Sequence, residues 1–516
     1  MAHSLPRRRS GCRESAAGIV RRFHVLLTYR DAQPYPAEES TLSVRTLIAW
    51  VRANRWVTLL YMAAIAGHLV VRGVYDPANV DDPWTLSFIH TWLTNGVTDD
   101  YVFGNVISNN DGGQSGLEFF GKIQALIYGP ALGLLDWNRN AAHVISAMFV
   151  AFSMPMWWRI AAHVAPRTNL PALFVACLIV AEPVVTASNE ARPDALAFFL
   201  VTGSIYATVR AQYVAAGLLS VLAFEVHPMG AISVVYGFAI YFARVNRGLD
   251  ARQHLKSLVQ LAGGWLIGAS VYLLLHQDSI AGVAPLLGDS NGGSIGKSLL
   301  MYTFDSFAYR HVPEALLFAA GMIVFIGSGM WRRERGVTLL LFAAAISLVV
   351  FRRGNHHYML YYTPIALLVG YVVVVHYRKQ LPAALLFFAL MLSQYGVTAW
   401  RNGGFDLDYY VREMRRQVPA GSVPVVAEYN AWFAFYDRTF YGSYKYDQSF
   451  YYNRREFASL GLTEFILVDR LLSQHGPTLG WREKVLPLDF SCEPRGFFTL
   501  QGRHYGTFHC SQGATP

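Results

Sequence analysis

The sequence predicts an all-α polytopic membrane protein of about eleven transmembrane helices, followed by a small extracytoplasmic α/β domain. Three observations carry that prediction. Of the 516 residues 53% are apolar and 15% charged, and a mean hydropathy of +0.27 belongs to a chain whose solvent is largely lipid. Apolar stretches near the ~20 residues needed to cross a hydrocarbon core recur from Trp56 to Trp400, divided by short charged or Gly/Pro-rich breaks. From Phe405 onward they give way to shorter, strand-like runs.

Residues 1–55 are basic and lack an apolar core before a small-residue cleavage site, so they read as a cytoplasmic tail rather than a cleaved signal. The predicted spans are 56–73, 140–158, 170–187, 194–209, 213–226, 229–243, 257–275, 313–330, 337–351, 358–375 and 382–399. One further apolar stretch, Leu117 to Leu135, carries Lys122 and a Gly-Pro break. If it crossed, every later basic loop would face outward. If it lies in the interface, the loops holding Arg159, Arg210, Arg247, Arg332, Arg333 and Arg378 all face the cytoplasm, as the positive-inside rule requires. It is therefore read as an interfacial helix within a large first outer loop, residues 74–139. The protein is then expected in the inner (plasma) membrane, with its N-terminus cytoplasmic and its C-terminal domain periplasmic or extracellular.

The net charge of +9 does not indicate nucleic acid, because the arginines lie in the tail and the brief inter-helix loops. A loosely phosphate-loop-like "SNGGSIGKS" lacks the full spacing and falls on the side away from nucleotides. The four cysteines have no metal-ligand spacing. In an oxidising compartment Cys492 and Cys510 would close a hairpin over "CEPRGFFTLQGRHYGTFHC".

The predicted topology gathers the out-of-place polar residues on the outer side. Asp81 and Asp82 stand in "DPANVDDPWTLSFIHTWLTNG", just past the first span, with Asp76, Asp99, Asp100, Asp111, Glu118 and Asp136 elsewhere in the same loop. A later outer turn, "SNEARPDALAFF", brings Glu190, Arg192 and Asp194; "FEVHPMG" brings Glu225 and His227; "FRRGNHHYMLYYTP" brings Arg352, Arg353, His356, His357 and Tyr361. Ionisable residues at membrane depth are costly, so a one-sided cluster marks a functional cavity. Bland readings exist for each: solvated loop acids, an Arg192 and Asp194 pair capping a span, a helix-end histidine at 227, a tyrosine belt.

The acidic pair after the first span, the long outer loop, an arginine opening the next span, the "RxD" turn, the His-Pro turn and the Tyr/Pro-rich late span together resemble the GT-C superfamily of glycosyltransferases. The chain is most similar to its protein O-mannosyltransferase and aminoarabinose-transferase branch, over residues 56–400. The resemblance implies a polyprenyl-phosphate sugar donor, a first-loop carboxylate acting as base (Asp81, with Asp82 where Glu is usual), an arginine at Arg139, a later outer Asp at Asp194, and a Lys or Arg on the lipid phosphate. Lys122, Arg192, Arg352 and Arg353 are all candidates for that last role.

The chemistry suits these residue types independently of the resemblance. Moving a sugar from a lipid phosphate to a hydroxyl needs a base for the incoming oxygen and a positive clamp on the departing phosphate. A direct displacement would invert the anomeric centre and needs no covalent intermediate, in keeping with the lack of a nucleophile constellation. The resemblance implies an acceptor in the cell envelope, with a glycan, a lipid and a protein all open. No cofactor is fixed by the sequence: His227, His356 and the acids could bind a divalent ion, but no ligand spacing compels one. A transporter or flippase of a lipid-linked sugar is the alternative; it would show paired repeats and mid-span charges. In the C-terminal region, residues 405–516, "SVPVVAEY" and "TEFILVDR" read as strands, and Tyr429, Trp432 and Tyr436 either stack on an acceptor or pack the domain onto the membrane part.

Overall fold

A computed structural model of the chain describes residues 81–96, 121–164, 171–245, 251–277, 312–351, 356–377, 406–443, 454–471, 485–500 and 503–513, apart from 419 and 459, with isolated positions of 59–66 and 385–400. The tail 1–55, most of the first and last predicted spans, Asp76, Asp99, Asp100, Asp111, Glu118, Arg352, Arg353, the side chain of His356 and the "SNGGSIGKS" stretch lie outside them.

Helix α1, Asp81–Asn95, opens with two acids and Pro83, both favourable at a helix N-terminus, and ends at Gly96 with φ +72°. Helix α2, Lys122–Leu134, has 13 residues, about 20 Å at 1.5 Å each and too short for a ~30 Å core. One face of it buries Ala125, Tyr128 and Leu132 while Leu126, Ile127 and Leu134 stay exposed. A tight turn, with Asp136 and Trp137 at positive φ, leads into α3, Arg139–Val164.

The predicted span 170–187 is not continuous. It is broken at Ala181 into α4, Pro171–Val180, and α5, Glu182–Ser188. The Glu182 N–H donates to Glu314 Oε1 at 3.0 Å, so a carboxylate from another helix satisfies one of the N-terminal donors that the break exposes. There follow α6, Asp194–Val209; α7, Tyr213–Val226; α8, Ile232–Val245; α9, Ala251–Leu275; α10, Val312–Gly327; α11, Arg335–Phe351; and α12, Met359–His376. Against the eleven spans expected, three described helices (α3, α9 and α12) are long and apolar enough to cross a membrane, and five apolar helices are shorter. The crossing of α7 with α9 is made by glycines. A Cβ on Gly217 would stand 2.3 Å from Leu261 O, and one on Gly264 2.1 Å from Val214 O, so the two backbones touch as small-residue membrane crossings do.

The C-terminal region opens with α13, Leu407–Gln417, whose N-cap Asp406 accepts from the Tyr409 N–H. Its five strands are β1 Val425–Ala427, β2 Phe440–Gly442, β3 Glu464–Leu471, β4 Phe490–Leu500 and β5 Arg503–Gln512. They form one sheet in the order β2-β1-β3-β5-β4. Strand β1 pairs parallel with β2 and β3, while β5 pairs antiparallel with β3 and β4. Strand β1 falls within the first run read from the sequence, and β3 covers the second from Glu464 and ends one residue beyond it. Cys492 and Cys510 face each other across β4 and β5 and are joined by a disulfide.

Their separation of 18 residues predicts that replacing both by alanine costs about 3 kcal/mol by loop closure. Thermal unfolding of the full chain with and without a reductant checks this; identical curves would show that the cross-link carries none of the stability.

The sheet domain is packed onto α1. Trp84 sits against the sheet core of Val426, Phe465, Leu467 and Phe508. The His90 ring makes edge contacts with Trp137, Trp432 and Tyr436 at centroid distances of 4.7, 6.2 and 5.5 Å. Tyr436 OH donates to Asp136 Oδ1. Trp432 and Tyr436 are thus packing residues, which favours docking over acceptor stacking.

Candidate active site

Five helix ends meet at one end of the bundle, beside the sheet domain: the starts of α1, α3, α6 and α12 and the end of α7. The turn Asn189–Pro193 between α5 and α6 lies at their centre. Gln124 of α2 and Ser146 of α3 fix it by donating to Ala191 O and Glu190 O at 3.0 and 2.7 Å. Its backbone is therefore held from both sides before any functional side chain is placed.

From this turn Arg192 reaches into a nest of carboxylates. Its Nε donates to Asp194 Oδ2 at 2.7 Å and lies 3.8 Å from Glu190 Oε2, and its Nη1 donates to Asp81 Oδ2. Asp81, Arg192, Asp194 and Glu190 are all buried. Burial lowers the proton affinity of the Arg192 guanidinium, but Asp194, Asp81 and Glu190 more than reverse this, so it stays charged. Asp82 is more deeply sealed. Its Oδ1 accepts the Ala191 N–H at 2.6 Å and its Oδ2 lies 2.9 Å from His143 Nε2.

The Glu190 carboxyl is strongly perturbed by its surroundings. Burial, and then Asp81, Asp82 and Asp194, push its carboxyl well above the ordinary 4.5, against the opposing pull of Arg192. A carboxyl whose folded value is raised holds its proton where the unfolded chain has lost it, so its contribution to stability falls as pH rises above that ordinary value. Glu190→Gln should remove this slope: relative to wild type the variant gains stability steadily as pH rises. Thermal melts across a pH series check it, and a parallel offset would contradict it.

The remaining expected residues divide into two groups. His227 and Tyr361 join the cluster. The His227 ring stacks on Tyr361 at 6.5 Å and lies 5.3 Å from Tyr358, and its Nδ1 accepts the Met229 N–H at 3.1 Å. Asp194 is within electrostatic reach of His227 and His357. His356 opens the turn His356–Tyr358, and its neighbour His357 places Nδ1 3.4 Å from Glu190 Oε2. Glu182, Thr186, Glu190, Asp194 and His357 line a narrow, partly open cleft with room for about one water molecule.

Lys122 and Arg139 are engaged elsewhere. Lys122 Nζ donates to Leu275 O at 2.8 Å, closing the C-terminus of α9, and stands 5.9 Å from the Trp92 ring centroid. Glu225 Oε1 accepts the Lys122 N–H at 2.8 Å and lies 3.0 Å from His276 Nε2, tying the starts of α2 and of the segment after α9 to α7. Arg139 is buried at the start of α3, where the carboxylate acting on it is Asp408 of α13. Lys122 thus ties α2 to the end of α9, and Arg139 lies within electrostatic reach of α13. Among the described residues no group of three or more His, Cys, Asp or Glu is arranged to hold a metal ion.

The residue missed in the sequence is His143. It stands four residues after Arg139 in α3, so on the same helix face, and that spacing was the available signal. Without Asp82 beside it, a lone histidine in an apolar run carries no sign of chemistry.

No family model matches the sequence, and no curated protein matches it either. Solved structures do match in fold. ArnT from Cupriavidus metallidurans in the apo state has a TM-score of 0.60 at 10% identity, with 88% of this chain and 98% of that chain covered. The same protein bound to undecaprenyl phosphate gives 0.59 at 12% identity, with the same coverage. The chain therefore shares the fold of ArnT over most of its length.

Proposed function

We propose that this protein is a membrane glycosyltransferase that moves a sugar from a polyprenyl-phosphate donor to a hydroxyl of a cell-envelope glycan, lipid or protein, inverting the anomeric centre. The observation that carries the proposal is the buried constellation of Asp81, Arg192 and Asp194 at one end of a lipid-embedded bundle, within a fold whose relative ArnT has been solved with undecaprenyl phosphate bound. The reaction is placed on the outer side. The disulfide of the adjoining sheet supports that placement, because such bonds persist in oxidising compartments.

The site divides the labour. Asp81 is the less sealed of the acidic pair, at 6% exposure against 0% for Asp82, so its charge faces the reacting sugar, where positive charge builds on the anomeric carbon as the phosphate leaves. The pair also carries the base function, Asp81 directly or Asp82 through a neighbour. Arg192 is committed to Asp81 and Asp194 and acts as their organiser. The clamp on the leaving phosphate is assigned to Arg352 and Arg353, which follow α11 and precede the turn that brings His357 to Glu190.

The test supplies radiolabelled polyprenyl-phosphate pentoses and hexoses to membranes containing the full chain. Release of polyprenyl phosphate with label entering an acceptor is expected. Passage of intact donor across sealed vesicles without cleavage would replace the transferase with the transporter.

A further inference from the structure

The carboxylates of the site are largely occupied. Asp81 Oδ2 and Asp194 Oδ2 accept from Arg192. Both oxygens of Asp82 are engaged, one by the Ala191 N–H at 2.6 Å and one by His143 Nε2 at 2.9 Å, and Asp82 is fully buried. The imidazole of His143 is the exception. With Nε2 donating its hydrogen to the Asp82 carboxylate, the lone pair is left on Nδ1. Among the described residues Nδ1 has no hydrogen-bond partner, and it is not sealed within the protein. The ring is tied into the reacting constellation along two paths, since Asp82 is the chain neighbour of Asp81 and Ala191 that of Arg192.

We propose that His143 is the proton acceptor of the transfer, with Nδ1 facing the incoming hydroxyl and Asp82 gripping the ring through Nε2. This rests on the transferase reading above and names the atom that does its base work. The acceptor oxygen forms its bond to the anomeric carbon. The bond from that carbon to the phosphate oxygen breaks, and its electron pair leaves with the phosphate. The hydroxyl proton passes to Nδ1, and the imidazolium so formed is stabilised by the Asp82 carboxylate until it releases the proton to water. A histidine oriented by a buried carboxylate is the general-base arrangement that nucleophile activation requires. Asp82 is then a positioning residue, and His143 the catalytic one.

The test compares wild type, His143→Gln and His143→Ala in the full chain, with transfer from the labelled donor as readout. Glutamine keeps an amide N–H where Nε2 stands and so preserves the grip on Asp82, but it cannot take a proton. His143→Gln should fold as wild type does and lose at least about 100-fold in transfer, and added imidazole should restore part of the activity of His143→Ala. A loss below tenfold in His143→Gln, or no rescue by imidazole, overturns the assignment and leaves His143 as a strut for Asp82. A wild-type protein that consumes none of the donors sinks the transferase reading and this inference together, so the two failures are distinguishable.

Discussion

Asp81→Asn should fold normally and lower transfer about 10² to 10³-fold, the usual cost of removing one oriented charge from a catalytic site. Asparagine keeps the shape and an oxygen acceptor for Arg192, so the start of α1 stays attached to the turn Asn189–Pro193. What it removes is the negative charge that the proposed mechanism sets beside the anomeric carbon. Arg192 retains Asp194 at 2.7 Å, so the guanidinium still has a carboxylate partner and the loss falls on the chemistry. The loss should appear in kcat more than in KM, since ground-state binding of the lipid donor does not depend on the developing charge. Label release from the donor, measured over a range of donor concentrations, gives both constants. Transfer at the wild-type rate would remove Asp81 from the reaction.

Much of this site is legible in the sequence because membrane proteins make polar residues expensive. Asp81, Asp82, Glu190, Arg192, Asp194, His227 and Tyr361 were all marked by being polar or aromatic at span ends on one predicted side, and the structure brings them to one end of the bundle. The sequence does not reveal which cation meets which anion. Lys122 and Arg139 look as suitable for a phosphate as Arg192 does, since a helix-end cation can serve equally as a C-cap, a domain contact or a ligand. The choice depends on where α9 ends and where α13 docks, and those are tertiary facts. The break at Ala181 is hidden for the same reason. The run from Pro171 to Ser188 is apolar enough to read as one span, and the group that relieves the break, Glu314, is supplied from 132 residues away.

Arg192 is the position whose loss should most damage the protein itself. In Arg192→Ala, Asp81 and Asp194 would remain buried without the guanidinium that satisfies them, and removing one partner from a buried ion pair costs about 3–5 kcal/mol. Glu190 softens this little, because burial already keeps its carboxyl protonated beyond the ordinary range. The damage should spread from the turn, since Ala191 beside it also holds Asp82 by a 2.6 Å hydrogen bond and Gln124 through its carbonyl at 3.0 Å. Thermal unfolding of the purified full chain measures the effect. Arg192→Lys should recover only part of the loss, because an ammonium on a flexible stem does not reproduce the fork that spans Asp194 and Asp81. The decisive variant is the triple Arg192→Ala, Asp81→Asn, Asp194→Asn. If the cost arises from uncompensated charge, neutralising both carboxylates restores much of the stability while transfer stays abolished, and the three changes are strongly non-additive. Simple addition of the three costs would mean that Arg192 stabilises the turn by packing alone, and that the carboxylates around it are held apart by something other than its charge.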